Sequence, residues 1–315
     1  MVIARAEAFA PATVANMGVG FDILGLAVSG VGDTVIAERR PEPGAVMLAI
    51  EGDNGKIPLD ADKNVATIAA NALLQQIGSE EGVAITLKKG LPIGSGLGSS
   101  AASAVAAAVA VNALLGEPLS REELLPACLE GEAAVSGYHA DNVAPSLLGG
   151  ITLTTGTTLS DIRKLPIPAN LYLVLVTPDV EVPTALARKA LPSTIPLKQM
   201  VHQTGAVAQL VDAIYRSDVK AIARSMASDQ VVEPARAHLM PYLTEARAAA
   251  SEAGAQALVI SGAGPTLCAV LDGDAHASQV AEALDNVYKS HGMACVVRQT
   301  QVAADGAIVL DSSSI

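Results

Sequence analysis

The residues best suited to bind a ligand or take part in a reaction lie in segment 91–103, which reads LPIGSGLGSSAAS. Three glycines leave this segment without bulky side chains: Gly94, Gly96 and Gly98. An alanine-rich run follows, so the loop faces the N–H groups and the positive dipole end of a predicted helix. Such a loop suits a polyphosphate, because glycine lets an anion approach the backbone. Ser99 or Ser100 could cap the helix and offer a hydroxyl to a metal ion.

A glycine cluster before a helix is also typical of a tight turn without any ligand. The spacing excludes two better-known phosphate loops. The chain has no GxxxxGK[ST] sequence, and GSGLGS lacks the acidic residue that closes the second strand of a dinucleotide fold. The loop therefore predicts phosphate binding by a different fold.

The elements around this loop alternate between strand and helix patterns. Strand patterns cover residues 2–10, 34–38, 46–51, 83–88, 151–155 and 171–177, and two strands flank a glycine turn within 257–270. Helix patterns cover 62–77, 99–115, 121–136 and two segments between 197 and 251. Residues 161–170 read as a proline-punctuated connection. We therefore predict an α+β protein of two domains, residues 1–163 and 164–315.

Composition narrows the possible partners. Half of the 315 residues are hydrophobic and 17% are charged, which predicts a compact fold. The net charge of −12 disfavours binding to nucleic acid and to anionic membranes.

No membrane span is expected, because the uncharged stretch 91–116 holds glycines, a proline and many alanines. Arg5 and Glu7 interrupt any signal sequence, so we expect a cytoplasmic protein. The three cysteines form no CxxC pair and read as buried thiols.

Three further segments have more distinctive sequence motifs: PATVANMGVGFDILGLAV at 11–28, HADNVAPSLLGG at 139–150 and SGAGPTLCAV at 261–270. Together with the glycine loop, and in this order, they resemble the galactokinase, homoserine kinase, mevalonate kinase and phosphomevalonate kinase (GHMP) superfamily. The segments at 11–28 and 139–150 resemble the homoserine kinase family in particular. The resemblance implies an N-terminal domain like ribosomal-protein S5 domain 2, a ferredoxin-like C-terminal domain and ATP between them. It also implies Mg²⁺, phosphorylation of the homoserine hydroxyl in threonine biosynthesis, and a homodimer.

The resemblance further assigns roles to individual residues. The nucleotide would contact Asn64, Pro92, Ile93, Gly94, Ser95, Gly96, Leu97, Gly98, Ser99, Ser100, Gly262 and Gly264. Magnesium would be held by Ser100 and Glu132, with Glu130 as the alternative because the loop before His139 is one residue short. The acceptor would contact Asn16 and Asp22 through its ammonium, Arg188 and Arg236 through its carboxylate, and Asn142 through its hydroxyl, with His139 and Thr184 nearby. Asp22, Ser100, Glu132 and Asn142 would form the catalytic set.

Each assignment has a structural alternative. Asp22 could cap a helix that begins at Ile23, and Asn142 could be a turn residue. His139 could be a structural hydrogen-bonding residue. The two arginines could be surface charges, and Glu132 could lie on a solvated helix face.

Two rival functions also stay open. One is a different GHMP kinase, such as a mevalonate kinase, and the other is a non-catalytic nucleotide-binding protein. No residue stands out as a general base, so we expect the acceptor proton to pass to a phosphate oxygen.

Overall fold

The protein is built on two β-sheets, and its computed structural model describes residues 3–314. One sheet has seven strands and the other has four. Helices pack against both sheets. The expected α+β class is confirmed.

The larger sheet has the strand order β11-β1-β2-β4-β3, with β5 beside β2 and β6 beside β5. Its strands are β1 (Ile3–Ala15), β2 (Leu24–Arg40), β3 (Gly44–Glu51), β4 (Gly82–Lys88), β5 (Ile151–Thr154), β6 (Ile162–Leu165) and β11 (Ile308–Ser314). Along β1 the alternate residues Ala6, Ala8 and Ala10 are fully buried. This period of two places one face of the sheet against the helical layer.

Four helices form that layer: α1 (Val65–Gln76), α2 (Ser99–Leu114), α3 (Leu125–Ser136) and α4 (Ala140–Leu148). Helix α2 lies at their centre, and every residue from 101 to 114 is buried. Its small side chains permit close helix packing, since a Cβ on Gly131 of α3 would stand 2.9 Å from the Cβ of Ala104. Within residues 3–314, neither α2 nor any other helix combines the length and apolarity that crossing a membrane requires.

The smaller sheet has the antiparallel order β10-β7-β9-β8. Its strands are β7 (Leu171–Pro178), β8 (Ala257–Ile260), β9 (Leu267–Asp272) and β10 (Cys295–Gln301). The connections contain α5 (Thr184–Lys189), α6 (Leu197–Tyr215), α7 (Val219–Met226), α8 (Val232–Arg236), α9 (Leu243–Glu252) and α10 (Ala277–Ser290). Helices α9 and α10 complete a β-α-β-β-α-β arrangement of the ferredoxin type.

Several sequence predictions differ from these elements. Segment 161–170 contains β6, a strand of only four residues followed by Pro166 and Pro168, so the strand pattern is not evident in the sequence. Segment 197–251 holds four helices instead of two, because the chain leaves the helical conformation at three places: at Ser217 and Tyr242, both with positive φ, and between α7 and α8. Segment 139–150 forms α4 despite Pro145, so Asn142 is a helical residue and not a turn residue.

The predicted boundary between residues 163 and 164 falls inside β6. Strand β11 also returns to the larger sheet, where it pairs with β1. Dividing the chain by sheet membership, we propose a first unit of residues 3–165 with 302–314, and a second unit of residues 171–301.

A buried ion pair fastens the glycine loop to the larger sheet. Lys89, at the end of β4, bonds Asp33 of β2, and both side chains are almost fully inaccessible. The Lys89 ammonium also donates to the Ser99 hydroxyl at 2.7 Å and to the Ser103 hydroxyl at 2.9 Å. Asp33 accepts from the backbone N–H groups of Gly90 and Leu91 at 3.0 and 3.2 Å. One network thus ties β2, the loop entrance and the first turn of α2 together.

We expect Lys89→Met to lower the free energy of unfolding by about 3–5 kcal/mol, because Asp33 would keep a buried charge without its cation. Chemical denaturation measures this loss. The control is Asp33→Asn with Lys89→Met, which removes both charges and should recover at least half of the loss. Equal destabilisation of the single and double variants would contradict an electrostatic role for the pair.

Candidate active site

The glycine loop forms a narrow cradle at the N-terminus of α2. Gly98 is the N-cap, with φ 65°, and no side chain caps the helix. The prediction that Ser99 or Ser100 is the cap is therefore wrong, because both lie inside the first helical turn. Their backbone N–H groups stay available to an anion, as expected at an uncapped helix start. The Ser95 hydroxyl in the same loop is buried without a hydrogen-bond partner.

A second glycine loop, at 261–266, closes over the first from the smaller sheet. Ser261 Oγ donates to the Gly96 carbonyl at 2.7 Å, and the Thr266 N–H donates to the Ser95 carbonyl at 3.1 Å. A Cβ on Gly96 would stand 2.4 Å from the Ser261 carbonyl oxygen, so only glycine allows this approach. Gly262 lies against Gly96, and Gly264 packs on Met240. The contact places the predicted nucleotide loop at the junction of the two units.

Asn64, which is expected to contact the nucleotide, is the N-cap of α1. Its Oδ1 accepts from the Ala66 N–H at 3.0 Å, and its Nδ2 donates to the Pro58 carbonyl at 2.9 Å. Both polar ends of the amide are therefore used within the chain. The side chain shapes the segment before α1, and its expected contact with adenine stays a prediction.

Glu132 and Ser100 come together beneath the loop. Glu132 is 4% exposed, so the alternative of a solvated helix face is excluded. Burial raises the pKa of its carboxyl to about 7, against the opposing effects of the Ser100 and Ser136 hydroxyls and of Lys89. Its Oε2 is buried without a hydrogen-bond partner. Glu130 instead points to the surface, where it accepts from the Tyr138 hydroxyl at 2.8 Å.

This donor set fits a hard divalent cation. An orphaned carboxylate oxygen beside a serine hydroxyl supplies two oxygen ligands of the kind that Mg²⁺ prefers. Within residues 3–314, no group of three or more His, Cys, Asp or Glu side chains could hold a metal by itself. A magnesium ion here would accordingly take further ligands from phosphate and water.

Asn142 lies beside the glycine loop and is oriented by a residue that the sequence analysis did not single out. The buried Thr13 of β1 donates from Oγ1 to Asn142 Oδ1 at 2.7 Å. The same threonine donates its N–H to the Leu97 carbonyl at 3.0 Å. A Cβ on Gly98 would collide with Thr13 Oγ1 at 2.0 Å and with Asn142 Oδ1 at 2.8 Å. Loop, strand and α4 are thus packed together at this point.

Asp22 and Arg188 form the centre of a charged cluster near the N-terminus of α4. The two guanidinium nitrogens of Arg188 donate to the two Asp22 oxygens at 3.0 and 3.1 Å. His139 Nδ1 is 3.6 Å from Asp22 Oδ2, and burial lowers the pKa of this histidine. Asp22 lies in the turn before β2 with φ 59°, so it does not cap a helix.

Neighbouring residues hold this cluster in place. Asn16 accepts from the Asp22 N–H at 3.1 Å and donates to the Gly262 carbonyl at 2.9 Å. Arg236 is 3% exposed and donates to the Ala187 and Gly262 carbonyls, so it is not a surface charge. Thr184 begins α5, the helix that carries Arg188.

Phe21, Asp33, Lys89 and Asp141 also surround the site, although the sequence analysis did not select them. The guanidinium carbon of Arg236 lies 5.1 Å from the centre of the Phe21 ring, and that of Arg188 lies 5.6 Å from it. Burial, with Asp22 and Glu132 nearby, raises the pKa of Asp141 to about 7. Phe21 and Asp141 lie within the motif segments 11–28 and 139–150, which was the available signal. Lys89 lies just before the loop segment in sequence, and no sequence signal marked Asp33, which is far from the loop along the chain.

Comparison with known proteins agrees with this geometry. Residues 64–150 match the family described as GHMP kinases N terminal domain, and residues 210–290 match GHMP kinases C terminal. A homoserine kinase of Arabidopsis thaliana is 45% identical over 287 residues, covering 89% of this chain and 78% of that protein. One from Chlorobium phaeobacteroides is 40% identical over 291 residues, covering 89% and 91%.

A solved structure gives the same result. The crystal structure of homoserine kinase from Cytophaga hutchinsonii superimposes with a TM-score of 0.93 at 42% identity and covers 97% of both chains. A superposition that covers 97% of this chain includes both sheets. The chain therefore belongs to the homoserine kinase family of the GHMP kinase superfamily.

Proposed function

We propose that this protein transfers the γ-phosphoryl group of ATP to the hydroxyl of L-homoserine and forms O-phospho-L-homoserine. The observation that carries the proposal is the position of Asn142. It lies beside the glycine loop, where an anion is favoured, on the same helix whose N-cap, His139, is 3.6 Å from Asp22 in a cluster that offers one carboxylate and two guanidinium groups. A small amino acid with a terminal hydroxyl matches that order of groups.

The nucleotide half of the site acts by positioning. The N–H groups of the loop and of the first turn of α2 would bind the phosphates, and the contact from Ser261 and Thr266 keeps the loop in one conformation. Ser100 and Glu132 would hold Mg²⁺, which neutralises phosphate charge in phosphoryl transfer. Lys89 supports Ser99 from below, so this part of the cradle is fixed before the substrate arrives.

The acceptor half orients the hydroxyl. Thr13 occupies Asn142 Oδ1, which directs the amide Nδ2 away from β1, and within residues 3–314 this nitrogen donates to no protein group. We assign it to the acceptor oxygen. Asp22 and Asn16 would bind the ammonium, while Arg188 and Arg236 would bind the carboxylate through charge-assisted hydrogen bonds. The acceptor proton then passes to a phosphate oxygen.

The rival acceptors fit this cluster less well. Mevalonate carries a carboxylate but no ammonium, so it would leave Asp22 without a cationic partner. A protein that only binds nucleotide has no need for a second charged cluster beside the loop. The homodimer and the cytoplasmic location remain predictions from the sequence.

The first prediction concerns the metal. Glu132→Gln should lower turnover at least about 100-fold, because the orphaned carboxylate would no longer supply an anionic ligand to Mg²⁺. Steady-state ADP release at saturating homoserine measures this. Glu130→Gln is the matched control and should keep wild-type turnover, since Glu130 bonds Tyr138 at the surface. The reverse result would place the metal at Glu130.

A second prediction concerns the stability of Glu132→Gln, which should rise although its turnover falls. The Glu132 pKa of about 7 in the folded protein lies above its ordinary value of 4.5, so folding takes up a proton between these values. The wild-type free energy of unfolding therefore falls as pH rises through this window, and Glu132→Gln should be more stable by about 2–3 kcal/mol at pH 8 but not at pH 4. Denaturation without nucleotide or metal tests this. A variant less stable than wild type at pH 8 would contradict it.

A third prediction concerns the carboxylate subsite. Arg188→Ala should raise the homoserine KM by the equivalent of about 1.5–3 kcal/mol and leave ATP affinity unchanged. Arg236→Ala should do the same and also destabilise the fold, because it removes donors to Ala187 and Gly262. If Arg188→Ala raised the KM equally for an acceptor without a carboxylate, the effect would reflect a defect in domain closure and not the loss of carboxylate binding.

A fourth prediction tests the choice of an amino acid as acceptor. Asp22→Asn keeps the side-chain shape but removes the anion that would face the ammonium. The ratio of kcat/KM for homoserine to that for its 2-hydroxy analogue should fall at least about tenfold in the variant, since a general defect cancels in the ratio. An unchanged ratio would mean that Asp22 does not read the ammonium.

A further inference from the structure

The two residues that our proposed function assigns to opposite ends of the acceptor bind each other in this structure. Arg188 spans Asp22 in a bidentate pair, with N–O distances of 3.0 and 3.1 Å. This pairing uses the full carboxylate of Asp22 and both terminal nitrogens of the Arg188 fork. Neither group could bind a substrate charge with its best geometry while the pair persists.

The surroundings make this pair more than a surface ion pair. The side chains of Asp22 and Arg188 are 25% and 33% exposed, which places them at the mouth of the site. Asn16 fixes the Asp22 backbone, and the Phe21 ring lies near the Arg188 guanidinium. Arg188 Nε is buried without a hydrogen-bond partner, so its guanidinium is not fully satisfied by Asp22. The arginine thus has an unused donor while the pair is closed.

We propose that the Asp22–Arg188 pair is a placeholder for a zwitterionic acceptor and opens by exchange of partners. The substrate ammonium takes the place of Arg188 on Asp22, and the substrate carboxylate takes the place of Asp22 on Arg188. A zwitterion adds no net charge, and two ion pairs replace one. The site therefore stays electrically balanced throughout the exchange.

This exchange makes the site selective for ligands that carry both charges. An amine without a carboxylate can bind Asp22 only by displacing Arg188, which is then left without a partner in a partly desolvated position. A carboxylate without an amine can bind Arg188 only by displacing Asp22, which is then left without a cationic partner. The pair therefore disfavours ligands that carry only one of the two charges, because binding such a ligand leaves either Asp22 or Arg188 without a partner. The inference rests on the proposed function, because it takes an amino acid as the acceptor.

The exchange predicts that removing one partner improves binding of the wrong ligand. Arg188→Met should bind 3-amino-1-propanol more tightly than the wild type does, by about three- to tenfold, because Asp22 is then free. The same variant should bind L-homoserine more weakly. Conversely, Asp22→Asn should bind 4-hydroxybutanoate more tightly by a similar factor, because Arg188 is free. Calorimetry or competition against homoserine measures all three ligands.

Two control variants separate partner exchange from simple charge repulsion. Lys189→Met removes a cation from the exposed face of the same helix and should leave amine binding unchanged. Arg236→Met removes a cation that lies by the same Phe21 ring but donates no hydrogen bond to Asp22. It should improve amine binding less than Arg188→Met does. Denaturation midpoints and ATP affinity show that each variant remains folded.

The outcomes distinguish this inference from the function on which it rests. Tighter amine binding in Arg188→Met than in both controls supports the exchange. Unchanged or weaker amine binding, or an equal gain in Arg236→Met, overturns the exchange while wild-type turnover of homoserine still supports the proposed function. A wild-type protein that neither binds nor phosphorylates homoserine overturns both.

Discussion

The buried pair of Lys89 and Asp33 is the interaction on which the nucleotide half of the site depends. A charged pair without solvent is tolerated only where hydrogen bonds satisfy its remaining atoms, and here two backbone N–H groups and two serine hydroxyls do so. Each of those partners belongs to the loop entrance or to the first two turns of α2. The electrostatic requirement of the pair thereby fixes the geometry of the glycine loop.

The second constraint is the close approach of the two glycine loops. Gly96 and Gly262 lie where any side chain would meet backbone atoms, and Ser261 bonds directly across the junction. Arg236 extends the same junction toward the acceptor cluster through its bonds to Ala187 and Gly262. The cradle formed by the glycine loop and the charged cluster are therefore connected through one contact between the two sheets. This explains why residues from distant segments serve one site.

The candidate site as a whole contains ionisable groups that are costly to bury. Glu132 and Asp141 both have pKa values raised to about 7 by burial, and each lies near further charged groups. Arg236 is buried, and its pKa is lowered first by that burial and then by Arg188. Buried ionisable groups with shifted pKa values, gathered at one place, are typical of functional sites.

The sequence by itself determined the α+β class, the glycine loop before α2 and the motif segments that contain most of the site. These features depend on local periodicity and residue type, which can be recognised directly in the amino-acid sequence. Only the tertiary structure decided that Glu132 is buried beside Ser100 while Glu130 bonds Tyr138, that Thr13 orients Asn142, and that Arg188 closes on Asp22. Each of these depends on contacts between segments far apart in sequence, and no local pattern records which buried group meets which partner.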